Sequence, residues 1–506
     1  MLKKNIRILL VMSLFLYTHI SYANITKGPY LNIPKQSSIV IMWESDHSEQ
    51  ALLKYGKTKK VKHILKTAPM DSSNNLFLYQ MKISDLDNGH KYFYQVIMSD
   101  TVSELSYFKT APAKDTAIKL VAVGDSRTGH EVHRKISETI NELSPDLIIS
   151  MGDLVGDGGN FEEWGTHYFQ PAADIINHIP LVSTLGDHDT NIDNGKNFNY
   201  YFRYNKTHEQ LWFSYDYGPA HFVSLDYRAE YDSSMITWFE QDMQQTDANW
   251  KFVYLHRPSY NLGGHRTNWG AGVYPDLYRK YQVDIVFTGH SHLYERFYPM
   301  RPSKEKNSWP VTYITTGGAG AGLYEAIDHE FTAFTKSINH FITIKLTENS
   351  LEFKALLPDK TLLDEFKINK KDGLYDSSYL SLIKPQEVMD VHMIFAKKLL
   401  IRFNQKPSTT APAIKEIKFE SINVDEDIKF KVYLAKESAH HYKIEPLEGV
   451  LKKGQTYEGF VKLYAKQDYK MDGRYFVPPV LLNASYKTSF AKGEAIGRQS
   501  RYYEPE

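Results

Sequence analysis

The stretch Val283-Asp284-Ile285-Val286-Phe287-Thr288-Gly289-His290-Ser291-His292 decides the fold. It is a short apolar run that reads as a buried strand and stops abruptly on Gly-His-x-His. Four earlier apolar runs stop in a related way. Residues 118–123 end at Gly124-Asp125-Ser126-Arg127, and residues 147–150 end at Gly152-Asp153. Residues 180–185 end at Gly186-Asp187-His188-Asp189, and residues 250–255 end at His256. A helical pattern from about His130 to Leu143 separates the first two runs. Buried-type strands alternating with helical stretches predict an α/β domain. Polar groups gathered at strand ends are where such folds place their chemistry.

One Gly-Asp carries no weight. Five strand ends on Asp or His, in this order, form a pattern. The alternative is a coincidence of structural Asp and His residues, and agreement in type and order argues against it. Carboxylates with imidazoles suit a pair of divalent or mixed-valence first-row ions, Fe, Zn or Mn, rather than calcium or a sulfur site. A glycine ahead of a ligand lets the backbone turn sharply. The chain has no cysteine, which excludes thiolate ligands, cysteine nucleophiles, disulfides and a lipoprotein anchor through an N-terminal Cys.

These motifs resemble those of the binuclear metallophosphoesterase (calcineurin-like) family, and within it the purple acid phosphatases. The resemblance covers roughly residues 24–368. The run Gly289-His290-Ser291-His292-Leu293-Tyr294-Glu295-Arg296 is similar to the last motif of those enzymes. Lys27-Gly28-Pro29-Tyr30-Leu31 is similar to the start of the fibronectin type III-like module that precedes the plant-type catalytic domain. The resemblance implies a catalytic sandwich of two mixed sheets flanked by helices. It implies that Asp125 and His292 bind a first metal ion, that Asp153 bridges, and that Asp187, His256 and His290 bind a second. It also implies that His188 touches the phosphate from the outer shell, with Asp189 orienting its imidazole. Two ions in such a site clamp a phosphoryl group and supply hydroxide near neutral pH.

The sequence departs from that pattern in places. Purple enzymes carry a metal-binding Tyr three residues after the bridging Asp, and here that position is Gly156. Other members use a His two residues after the first Asp, and here that is Arg127. The first ion therefore lacks one expected protein ligand, which leaves water, another residue or a weak site as the options, and the protein is expected not to be purple. Asp187 stands where the family has Asn, which adds a carboxylate and predicts tighter binding of the second ion. Ser259 stands where a further outer-shell His is usual. Arg127 reads as a phosphate contact, with a solvated surface Arg as the alternative. His265 reads either as a substrate contact or as an exposed loop residue. The glycine-rich run 317–322 is not a P-loop, because no Gly-Lys-Ser/Thr follows. A structural turn is its expected role, with backbone approach to the metals as the other option.

Length sets the remaining frame. A chain of 506 residues is too long for one ordinary domain. Lys3, Lys4 and Arg7 precede an apolar run and Ser21-Tyr22-Ala23, so residues 1–23 read as a signal peptide of a secreted or periplasmic protein. That run is too short to span a membrane, and no later stretch is long and apolar enough, so no transmembrane anchor is expected after cleavage. Residues 24–113 read as a small β-sandwich, 114–372 as the catalytic domain, and 373–506 as a β-rich module of unknown role with a loop at 407–413. Basic and acidic residues both number 60, so bulk charge gives no nucleic-acid patch. The expected activity is hydrolysis of a phosphorylated small molecule by an acid phosphatase-like phosphomonoesterase. A phosphodiesterase or nucleotide hydrolase, or a weakly active binding protein on a phosphatase scaffold, are the alternatives.

Overall fold

The computed structural model describes residues 23–99, 101–204, 210–265, 267, 269–302, 307–328 and 331–385, and the backbone of six further strands between 399 and 480. The expected leader up to residue 22 and the loop at 407–413 lie outside the described residues.

Residues 25–109 form two facing sheets. One is ordered Ile25–Leu31, Ile39–Ser45, Leu76–Ile83 and Asp71–Ser73, and the other is built on Ala51–Gly56 and Lys91–Met98. Alternate residues point inward, as the two-residue strand period requires. Trp43 stacks on Tyr79 at 5.3 Å, and Tyr94 and Phe108 complete the core. The conspicuous Lys27-Gly28-Pro29-Tyr30 segment is the docking edge of this sandwich. Lys27 pairs with the fully buried Glu44 and lies over the rings of Phe161 and Tyr201. The Tyr30 hydroxyl donates to the carbonyl of Tyr201 at 2.7 Å. This polar contact, sealed by aromatics, ties the sandwich to the central unit.

The central unit contains two seven-stranded mixed sheets. The first runs Leu181–Ser183, Leu147–Ser150, Ile118–Val123, Phe341–Leu346, Ser350–Leu356, Leu362–Lys371 and Leu374–Tyr375. The second runs Phe213–Tyr217, Ala220–Ser224, Trp250–Leu255, Ile285–Thr288, Thr312–Thr316, Tyr294–Phe297 and Thr332–Lys336. Leu120, Ala122, Leu147 and Ile149 face the core between the sheets, while Val121, Val123 and Ile148 face the opposite way. That second face is covered by the helix His130–Leu143, which buries Ile136 and Ile140 one turn apart. Both sheets therefore have two buried faces, which explains the nearly continuous apolar runs in their parallel strands.

The boundary expected at 372/373 is corrected. Strand Leu374–Tyr375 pairs with Leu362–Lys371, and Tyr375 and Tyr379 are buried in the core between the sheets. The described catalytic unit therefore continues to residue 385, where Lys384–Pro385 pairs with Met300–Arg301. The described strands further on make one six-stranded antiparallel sheet, centred on Ile414–Ser421 and Ile428–Leu434.

Candidate metal centre

The parallel strands of both sheets end at one edge, and their turns bring the predicted ligands together. Asp125, Asp153 and His290 all adopt positive φ, at 58°, 56° and 66°. Non-glycine residues held there are strained, and such strain collects at functional sites. Gly186 shows why the turns need glycine. A Cβ at that position would lie 2.1 Å from the Asp153 nitrogen.

Two overlapping groups can each hold a cation: Asp187 with His256 and His290, and Asp125 with Asp153 and His256. Asp187 Oδ1 lies 2.6 Å from His256 Nε2 and 2.9 Å from His290 Nδ1. The two imidazole nitrogens are 3.3 Å apart. Asp153 Oδ1 completes the cluster, 3.4 Å from His256 Nε2. His256 Nδ1 faces the Met151 carbonyl at 2.7 Å, and His292 Nδ1 faces the Gly322 carbonyl at 2.6 Å. A carbonyl partner fixes the proton on Nδ1 and turns the Nε2 lone pair toward the cluster, the arrangement of a metal-binding imidazole. Asp187 Oδ1 is buried and faces the two imidazole nitrogens, and this trio of donor atoms fits a first-row ion on the Asp187 side.

The electrostatics agree. Burial pushes the Asp187 carboxyl up, but hydrogen bonds from His256 and His290 outweigh it and hold the group well below the usual range. Burial pushes His256 down, yet Asp153 and Asp187 raise it to about 10. Burial, reinforced by the charges of Asp125 and Asp187, raises Asp153. An ion would take over the role that the proton on His256 plays here.

The role expected for Asp189 is corrected. Its carboxylate accepts backbone N–H bonds from Asp153 and Leu154 at 2.8 Å and from Gly186 at 2.9 Å. It fixes the turns that present Asp153 and Asp187, and the His188 imidazole is oriented instead by the Gly156 carbonyl, 2.6 Å from Nδ1. Arg127 is spent on the cluster: Nε donates to Asp153 Oδ2 at 3.0 Å, and Nη2 lies 3.4 Å from His292 Nε2. Nη1, with both its hydrogens, is left for a phosphate.

Other expectations sort themselves by contact. His265 stacks on His290 at 4.3 Å, and burial together with His290 and His292 pushes it down to about 4. It belongs to the site rather than to an open loop. Glu295 accepts from Asn261 Nδ2 at 3.1 Å and from the Leu262 and Gly263 nitrogens, holding the loop that carries His265. The run 317–322 does approach the centre. Ala321 N donates to the Asp125 carbonyl at 2.8 Å, and Gly322 supplies the carbonyl facing His292. Asp157 closes its own turn on Gly159, and Tyr260 and Trp269 pack in the core.

Three residues at the site were missed. Arg257 Nη2 sits 3.8 Å from Asp187, its Nε is buried without a partner, and its guanidinium lies 4.7 Å over Tyr227. Tyr324 stacks on His292 at 4.4 Å. Arg257 follows His256 directly, a signal that could have been used. Tyr227 and Tyr324 have no such local signal.

This fold and cluster define a metallophosphoesterase-type domain. Residues 118–294 match the calcineurin-like phosphoesterase family, so the chain carries a calcineurin-like metallophosphoesterase domain. Among relatives, it is 27% identical over 301 residues to purple acid phosphatase 21 of Arabidopsis thaliana, covering 54% of this chain and 67% of that protein. It is 27% identical over 191 residues to acid phosphatase type 7 of Mus musculus, covering 31% and 43%. It is 23% identical over 329 residues to the phosphoenolpyruvate phosphatase of Allium cepa, covering 55% and 65%. The chain thus spans about two thirds or less of the length of these curated relatives. The structure of the purple acid phosphatase PPD1 from yellow lupin (Lupinus luteus) superposes with a TM-score of 0.60 at 19% identity, covering 70% of this chain and 75% of that one. No described helix is long and apolar enough to cross a membrane.

Proposed function

We propose that this protein is an exported, metal-dependent phosphoester hydrolase acting as an acid phosphatase-like phosphomonoesterase. The observation that carries the reading is the convergence of Asp187 Oδ1, His256 Nε2 and His290 Nδ1 within about one ion's reach of each other at a buried strand edge. Export rests on the basic and apolar N-terminus. The phosphomonoester preference rests on the likeness to acid phosphatases.

Asp187, His256 and His290, with Asp153 beside them, would hold the ion. A first-row ion there lowers the pKa of bound water and polarises a phosphoryl oxygen. The residues of the chain do the rest. Arg257, 38% exposed and beside Asp187, places its guanidinium at the rim, suited to the equatorial oxygens of a phosphoryl group. His188 donates Nδ1–H to the Gly156 carbonyl, which leaves Nε2 to exchange a proton with the leaving oxygen. Asp189 keeps the Asp153 and Asp187 turns rigid through its backbone bonds.

The test pairs metal content per chain with hydrolysis of an aryl phosphate monoester and an aryl phosphate diester. Chelator-sensitive turnover that favours the monoester is expected. A preference for the diester would move the chain to the phosphodiesterase alternative. No turnover with Fe, Zn or Mn across the pH range would sink the hydrolase reading.

A further inference from the structure

We propose that the Arg127 guanidinium stands in for one metal ion, so that the centre holds a single ion on the Asp187 side. The inference rests on the chain being a metal-dependent hydrolase.

The two halves of the centre are built differently. On the Asp187 side, three ligand atoms converge and the carboxylate oxygen faces the two imidazole nitrogens. On the other side, the candidate ligands Asp125, Asp153 and His292 already have donors. Both Asp125 oxygens accept the His290 backbone N–H, at 3.1 and 2.9 Å. Asp153 Oδ1 accepts the His188 N–H at 2.9 Å, and its Oδ2 accepts Arg127 Nε at 3.0 Å. The remaining lone pair, His292 Nε2, faces Arg127 Nη2 at 3.4 Å. The guanidinium fork spans Asp153 Oδ2 and His292 Nε2, two of the candidate ligand atoms on this side.

Arg127 is not a loose surface cation. Its side chain is 13% exposed, and its backbone N–H donates to the Asp153 carbonyl at 3.1 Å. A guanidinium stays charged at any working pH and offers five donors but no lone pair, so it can never serve as a ligand itself. The position three residues after Asp153 adds no lone pair. Gly156 has no side chain, and a Cβ there would meet Glu163 Oε2 at 2.9 Å. Glu163 is itself engaged, accepting from the Asp157 nitrogen at 2.7 Å and pairing with His167 at 3.0 Å. Charge points the same way. One divalent ion and one guanidinium balance the three carboxylates Asp125, Asp153 and Asp187, whereas a second ion beside Arg127 would leave uncompensated positive charge in a buried site. Asp153 then bridges an ion and an arginine, and Arg127 Nη1 is the donor left for a phosphoryl oxygen.

The test is ion stoichiometry. The full chain is loaded with Mn²⁺, desalted and assayed for manganese per chain, alongside Arg127→Ala and Arg127→His. One ion is expected for the unaltered chain and two for each variant, because Asp125, Asp153 and His292 are released. Electron paramagnetic resonance of the unaltered Mn²⁺-loaded chain should show an isolated ion, and this decides the question even if the variants fail to fold. Two ions with an exchange-coupled spectrum in the unaltered chain would overturn the inference while leaving the hydrolase reading intact. A folded Arg127→Ala that still binds one ion would also overturn it. No ion bound with Mn, Fe or Zn would overturn both.

Discussion

Lys370 and Asp284 form a buried ion pair whose removal should cost more than any single surface change in the chain. Nζ lies 2.7 Å from Asp284 Oδ1, with the side chains 2% and 0% exposed. The ammonium is roofed by Trp250 at 4.2 Å, Trp309 at 5.1 Å and Tyr375 at 5.3 Å. Asp284 also accepts the Lys251 N–H at 2.8 Å and the Tyr375 hydroxyl. At an effective dielectric near 20, two charges at this separation attract by about 6 kcal/mol. Desolvation offsets much of that, so the net contribution of the pair is small. Breaking it is another matter, because either single change strands a buried charge. Lys370→Met or Asp284→Asn should each destabilise the protein by about 3–5 kcal/mol. The double variant should cost less than the sum, with a coupling of about 2 kcal/mol or more. Urea unfolding of all four proteins measures this. Additivity within about 0.5 kcal/mol would refute the reasoning. The pair sits at the starts of strands Trp250–Leu255 and Ile285–Thr288, whose far ends present His256, His290 and His292. It should therefore change stability with little effect on metal affinity in protein that remains folded.

Replacing Asp187 with Asn should weaken ion binding by an order of magnitude or more, since it removes the charged oxygen shared by His256 and His290; equal affinity by calorimetry would reject the ligand role. His188→Ala should lower kcat by about 10²-fold or more while leaving ion content unchanged, and a loss of the ion instead would move His188 into the ligand set. Ferric-loaded protein should show no visible tyrosinate band, because the position three residues after Asp153 is Gly156 and the adjoining space holds Glu163. His221, flanked by Asp216 at 2.7 Å and Asp242 at 2.9 Å, is raised to about 9: burial works against protonation and the two carboxylates overcome it. A raised histidine stabilises the fold fully below its unfolded value near 6.5, and that support is lost as pH climbs toward 9. Denaturation midpoints should fall across this window, by at most about 3 kcal/mol given the exposure of Asp216. The same slope in His221→Gln would disprove the assignment.

The central part of the fold was legible because its strands are buried on both faces and end on candidate ligands. The runs at 118–123, 147–150 and 250–255 are apolar but for Lys119 and Lys251, and a candidate ligand follows each. Asp189 was misjudged for a physical reason. Sequence adjacency places it beside His188, but the chain turns between them, and the carboxylate finds the backbone of residues 153–155 instead. The end of the central unit was missed because the alternation of strands and helices stops after about Lys370, while Tyr375 and Tyr379 lie just beyond a polar hairpin at Asp372-Gly373. The packing of Tyr375 on Trp309, at 4.2 Å, and the pairing of Leu374–Tyr375 with Leu362–Lys371 show that the chain returns to the core.

Arg127 shows where sequence reading stops. Its position two residues after Asp125 marks it as part of the site, and its chemistry marks it as a partner for anions. Neither says which anion. A phosphate outside the cluster and a carboxylate inside it are equivalent to a guanidinium until the turn geometry is known. The positive φ of Asp125 and of Thr128, at 58° and 67°, folds the 125–128 turn back on itself. That turn carries the guanidinium inward to Asp153 rather than outward to solvent. The backbone strain that positions the ligands also positions the cation among them, so metal number and loop geometry are one question at this site.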